Sequence, residues 1–171
     1  MSGDQPIYKW KKRDKVLYFL SLIPFLLAFI GSIVIMYPIC IYMVLLWILI
    51  YFALNIFQAG CCISCPYRGR YCPAILGIYL ANLLSEFLYT DFEYEEKSFK
   101  QNALWAEITL AVFILYPVYW LFISNWIYVI IYFVLLLIHF LLFMPVQCRK
   151  CSFNCRCPGG KMVKKICNAF S

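Results

Sequence analysis

The sequence predicts an all-α integral membrane protein of four transmembrane helices. They form two tandem-duplicated hairpins, each followed by a cytoplasmic cysteine-rich knuckle and a short amphipathic helix. Three observations predict this. Of 171 residues, 65% are apolar and only 13% charged, whereas a soluble domain is nearer half apolar and a quarter charged. Four apolar runs of about twenty residues divide the chain. A cysteine pattern recurs half a chain length apart. A water-soluble globule of this size could not hide so much apolar surface, and disorder requires low hydrophobicity.

The runs are Leu17 to Met36, Ile39 to Phe57, Ala103 to Ile123 and Trp126 to Pro145. The third carries one charge, Glu107. None alternates polar and apolar residues, which excludes a transmembrane barrel. The first is too long for a signal peptide and no small-residue cleavage site follows it, so it is kept as a span. Gly31, Ala28, Ala53 and Ala111 are the small residues expected at helix contacts, because lipid gives no hydrophobic drive for association. Asn55, Gln58 and Cys40 are polar positions read as packing residues.

Lys and Arg set the orientation. Five lie between Met1 and Lys15, four between Gln58 and Asn102, and six from Gln147 onward, which accounts for all 15. The turns Tyr37-Pro38 and Ser124-Asn125 have none. Both termini and the middle loop are therefore expected in the cytoplasm, in an inner or plasma membrane. The net charge of +7 serves this orientation, so no nucleic-acid partner is implied. Trp120 and Trp126 then belong to the outer interface, and Trp10 and Trp105 to the inner one. Pro73 to Thr90 is apolar but carries Asn82, Ser85 and Glu86 on one side. It reads as an interfacial amphipathic helix opened by Pro73.

Cys62, Cys65, Cys72 and Pro73 recur as Cys148, Cys151, Cys157 and Pro158, at offsets of 86, 86, 85 and 85. The first repeat is 1–86, with its knuckle at 61–73 and the interfacial helix 73–90 overlapping its end. The second is 87–171, with a knuckle at 148–158 and a basic tail. Two spans per half require both halves to share one orientation about an axis along the membrane normal. The knuckles would then emerge on the same face.

Cytoplasmic thiols stay reduced, so the ten cysteines are read as metal ligands and not as a disulfide framework. Each knuckle contains a Cys-x-x-Cys chelate, whose spacing lets two sulfurs reach one tetrahedral metal. The candidate ligands are Cys62, Cys65, Cys72, Cys148, Cys151, Cys155 and Cys157, with Cys61 as a further candidate. Either each knuckle binds its own metal, or Cys62, Cys65, Cys148 and Cys151 share a four-sulfur site on the axis. All-sulfur ligation suits structural Zn2+ or, alternatively, an Fe–S cluster. Gly69-Arg70-Tyr71-Cys72-Pro73 resembles the cysteine–proline motifs of membrane-bound polyferredoxin quinol dehydrogenases. The resemblance spans a dozen residues and lacks that family's soluble ferredoxin repeats.

His139 is the single histidine, so a bis-histidine haem on this chain alone is excluded. Glu107 lies at a similar depth in the third span, which makes Glu107–His139 a candidate intramembrane polar pair. Phosphate loops, dinucleotide fingerprints, nucleophile elbows and His-Glu-x-x-His motifs are missing, so no catalytic residue is assigned. The expected function is a scaffold or subunit with a structural, thiolate-bound metal, docking other membrane subunits or a cytoplasmic protein. An iron–sulfur electron-transfer subunit is the alternative. Reporter fusions after Lys15, Lys97 and Ser171 should all read cytoplasm. An external reading at Ser171 would make 73–90 a fifth span.

Overall fold

The computed structural model describes residues 11–63, 84–90 and 95–143. Four helices carry the architecture: α1 (Lys12–Met36), α2 (Ile41–Cys61), α3 (Glu96–Ser124) and α4 (Trp126–Phe143). Each is long and apolar enough to cross a membrane. No strand occurs among the described residues.

The helices begin and end for local reasons that hydropathy does not register. α1 starts five residues before its apolar run, where the Asp14 carboxylate accepts the Lys11 N–H at 3.3 Å and favours the positive end of the helix dipole. α3 starts seven residues before its run, with an exposed Lys100–Glu96 pair at 2.9 Å on its first turns. At the other end of the bundle the connections are minimal. Residues 37–40 form a turn in which the Ile39 and Cys40 N–H groups both return to the Met36 carbonyl. Asn125 alone joins α3 to α4. Its N–H donates to the Leu121 carbonyl, while its Oδ1 accepts the Ile127 N–H at 3.0 Å. One asparagine thus closes one helix and caps the next.

These two turns share one end of the bundle, hereafter the turn end. Lys12, Cys61, Glu96 and Phe143 mark the opposite, loop end. Exposed Tyr37, Tyr42, Tyr119 and Trp126 ring the turn end, the aromatic rim expected at a membrane boundary.

The main packing runs between the hairpins. α2 lies antiparallel on α3 and α1 antiparallel on α4, while α1 and α2 barely touch. The α2–α3 seam passes through Trp47–Phe113, Phe57–Trp105 and Gly60–Asn102. Tyr18, Leu22 and Phe143 close the α1–α4 seam at the loop end; Ala28, Tyr132 and Leu136 pack nearer the turn end, with Leu121 of α3. α1 and α3 face each other across the short diagonal, where Phe25 and Phe29 meet Phe113.

The small residues behave unevenly. Ala28 is buried, Ala53 half-buried and Ala111 exposed. Gly31 is half-buried and has no atom near the position of a Cβ. It lines an apolar recess with Leu27, Tyr128 and Ile131. The close approach falls instead at Gly60, where a Cβ would collide with the Asn102 amide. Residues 84–88 are helical. Ser85 is buried there and Phe87 is 86% exposed, so the aromatic ring of this stretch turns away from the bundle. Residues 73–83 lie outside the described residues.

Gly60→Leu should therefore destabilise the α2–α3 seam by about 1–3 kcal/mol through overpacking. Gly31→Ala, facing open space, should change stability by less than about 0.5 kcal/mol. Unfolding titrations in mixed micelles separate the two.

Candidate functional site

The knuckle residues Cys65, Cys72, Cys148, Cys151, Cys155 and Cys157 lie outside the described residues. Cys61 and Cys62 are half-buried where α2 ends. Among the described residues, no three His, Cys, Asp or Glu side chains come together to hold a metal ion.

A different polar constellation is described within the helices. Asn55 and His139 are both fully buried, as is Ser21. With a rise of 1.5 Å per residue they lie about 20–22 Å from the turn end, on α2, α4 and α1 respectively. Glu107 shares this level, because its α3 neighbour Trp105 stacks on Phe57 just beyond Asn55. Each helix thus contributes one polar residue to a single layer.

His139 is held by its backbone partner. Its Nδ1 lies 2.6 Å from the Ser21 carbonyl oxygen. A carbonyl only accepts, so Nδ1 carries the proton and Nε2 is left as a bare lone pair. That Nε2 is buried without a hydrogen-bond partner, and the ring sits among Phe25, Phe140 and Phe143 at centroid distances of 5.2–5.5 Å. Glu107 is exposed on the outward face of α3. The structure therefore brings His139 to Ser21 and not to Glu107. On α2, the Asn55 amide donates to the Tyr51 carbonyl at 2.7 Å, leaving Asn55 Oδ1 and, one turn on, Gln58 Oε1 buried without partners.

The Ser21 carbonyl is one of three that meet donors from another helix near a proline. Pro24 and Pro117 lie inside α1 and α3. Proline has no N–H and its ring crowds the preceding turn. Pro117 cannot donate to the Phe113 carbonyl, and the Trp47 indole N–H of α2 does so instead at 2.9 Å. The Ile114 carbonyl, three residues before Pro117, accepts the Tyr132 hydroxyl of α4 at 3.0 Å. The Ser21 carbonyl stands three residues before Pro24. At Phe113 a neighbouring helix thus satisfies the carbonyl that a proline leaves open, and at Ile114 and Ser21 it adds a donor beside one.

The role of Trp47 is absent from the sequence reading. A signal was available: Trp10, Trp105, Trp120 and Trp126 are assigned to interfaces, whereas the fifth tryptophan stands mid-span. Tyr116 is a similar case, its hydroxyl donating to the Met43 carbonyl at 3.1 Å.

Comparison with protein-family models, curated proteins and solved structures finds no match.

Trp47→Phe should cost about 1–2 kcal/mol, the range of a hydrogen bond between helices in lipid. In a Pro117→Ala background the cost should shrink, because the substituted alanine restores a backbone N–H that serves the Phe113 carbonyl. A double-mutant cycle of unfolding free energies reads the coupling; equal costs in both backgrounds would refute it.

Proposed function

We propose that this chain is a non-enzymatic membrane subunit whose loop end faces the cytoplasm, where thiolate-bound zinc pins the cysteine segments into a platform that docks a partner. The observation that carries this reading is the shared polarity of α2 and α4. Both are second helices of their hairpins, and both end at the loop end. Cys61 and Cys62 stand where α2 stops, and the second cysteine cluster follows α4 by five residues. The turn end offers residues 37–40 and Asn125 as its connections. A soluble partner would find its surface at the loop end or not at all.

Tandem duplication forms part of this reading. Exchanging the hairpins interchanges α1 with α3 and α2 with α4, which turns the α2–α3 seam into the α4–α1 seam. These are the two most extensive contacts in the bundle. α1 and α3 are parallel where they meet, and Phe113 follows its ring partner Phe29 by 84 positions, close to the cysteine offset of 86. The prolines are not equivalent under this exchange: Pro24 stands twelve residues before the end of α1 and Pro117 seven before the end of α3. Duplication accounts for the framework, and the proline contacts are later specialisations of each half.

Cys65→Ser should lower the metal content of the purified chain, because a hard serine oxygen replaces a thiolate poorly. The stability loss should be smaller than the order of 10 kcal/mol of isolated zinc domains, since the bundle contacts do not depend on the cysteine segments. Cys40→Ser, at the turn end, is the control and should retain metal. Elemental analysis decides the matter. Zinc lost on substitution supports the proposal, iron in the unmodified chain moves the reading to electron transfer, and near-zero metal throughout defeats both.

A further inference from the structure

Glu107 stands apart from the rest of its polar layer. Ser21, Asn55 and His139 are turned into the bundle, but Glu107 faces outward. It lies on an apolar stripe of α3 that includes Leu104, Ile108 and Leu115, all exposed. It makes no ion pair with any described residue; the pair on this helix is Lys100–Glu96. It stands seventeen residues before the end of α3, about 25 Å along the helix from the turn end, and so about 5 Å inside the far boundary of a hydrocarbon core of about 30 Å. A helical side chain leans toward its own N-terminus, which tilts the carboxylate toward the loop end. An ionisable residue held outward at such a depth is costly, and it marks a function whose partner should be named. One turn further along α3, Ala111 is also exposed. Its short side chain leaves a notch beside the carboxylate.

We infer that this outward face of α3 docks a transmembrane helix of another protein, one carrying a Lys or Arg near its cytoplasmic end. The basic head pairs with Glu107 and the aliphatic stem lies over Ala111. Charge complementarity selects this occupant. The described helices of a second copy do not supply it. In the described helices the basic residues are Lys12, Arg13, Lys15, Lys97 and Lys100, all in the opening turns at the loop end. The nearest in level, Lys15, is six residues and about 9 Å beyond Ser21. A base just inside the cytoplasmic boundary is also where the positive-inside rule places one on a partner. The inference rests on the chain being a membrane subunit, but not on its binding metal.

The test uses the full chain, donor-labelled, in phosphatidylcholine vesicles. The probes are acceptor-labelled polyleucine transmembrane peptides carrying one Lys, one Glu or only Leu at the matching depth. Energy transfer should show the Lys peptide associating about tenfold more tightly than the Leu peptide. Glu107→Gln should abolish that preference, Glu107→Lys should transfer it to the Glu peptide, and Ala111→Phe should reduce Lys-peptide binding to the Leu-peptide level. Equal binding of the Lys and Leu peptides, or a preference that survives Glu107→Gln, overturns the inference. So does self-association of the labelled chain that depends on Glu107, since the occupant would then be a second copy. Resistance to alkaline extraction is read in parallel. An extracted chain counts against the membrane reading itself, whereas a retained chain without the Lys preference counts against the docking alone.

Discussion

A backbone carbonyl that loses its helical donor in an apolar environment must find another, and the packing of this protein is organised around that requirement. Pro117 deprives the Phe113 carbonyl, which accepts the Trp47 indole N–H; the Ser21 carbonyl, one residue beyond the Leu20 carbonyl that Pro24 deprives, accepts the His139 Nδ1–H in addition. In both cases the donor is a ring on the second helix of one hairpin, and the acceptor is on the first helix of the other. Leaving a buried carbonyl unmet costs about 1–3 kcal/mol, more than a typical polar contact between helices contributes in lipid. The Trp47 contact therefore favours the α2–α3 seam over the within-hairpin pairing that short turns alone would suggest, and the His139 contact adds a buried polar tie to the α1–α4 seam.

That choice of seams dictates the filling of the core. Once Trp47 reaches across to Phe113, the helices stand far enough apart for rings to pack between them. Phe29 meets Trp47 at 4.8 Å and Phe113 meets Trp47 at 5.2 Å, with Tyr51 and Phe25 completing the assembly. Such pairs contribute about 0.5–1.5 kcal/mol each beyond the area they bury. Small residues matter only where the helices converge toward the loop end, at Ala59 and Gly60, both buried. An expectation built on small residues alone was thus met at Ala28 and missed at Ala111, because rings, not close backbone approach, fill most of the interior.

Hydropathy made the helices legible because each must be apolar over most of its length, and a run of twenty such residues has few other uses. It located α4 to its first residue and misplaced the starts of α1 and α3 by five and seven. Lys12 and Glu96 begin those helices through capping and charge, which a hydropathy count does not see. The pairing of helices was not legible. It depends on which residue donates to a carbonyl many positions away, as Trp47 does to Phe113, and no local pattern encodes that distance. His139 and Glu107 read as lying at a similar depth, but depth alone does not reveal which way a side chain turns. His139 faces inward to the Ser21 carbonyl, and Glu107 faces out.

The same geometry bears on how the proposed metal would be held. α2 and α4, from whose ends the cysteine segments depart, occupy the long diagonal of the bundle, while α1 and α3 lie between them. By the seam registers, α3 continues about five residues past the level of Cys61, and α1 about five past the level of Phe143. Each extension rises about 7 Å beyond the ends of its neighbours. In the sequence, four sulfurs fall within a dozen residues in each knuckle, and the basic residues Arg68, Arg70, Arg149, Lys150 and Arg156 would offset the thiolate charge locally. On the proposed reading, each hairpin carries in its own sequence the sulfurs that one tetrahedral metal needs.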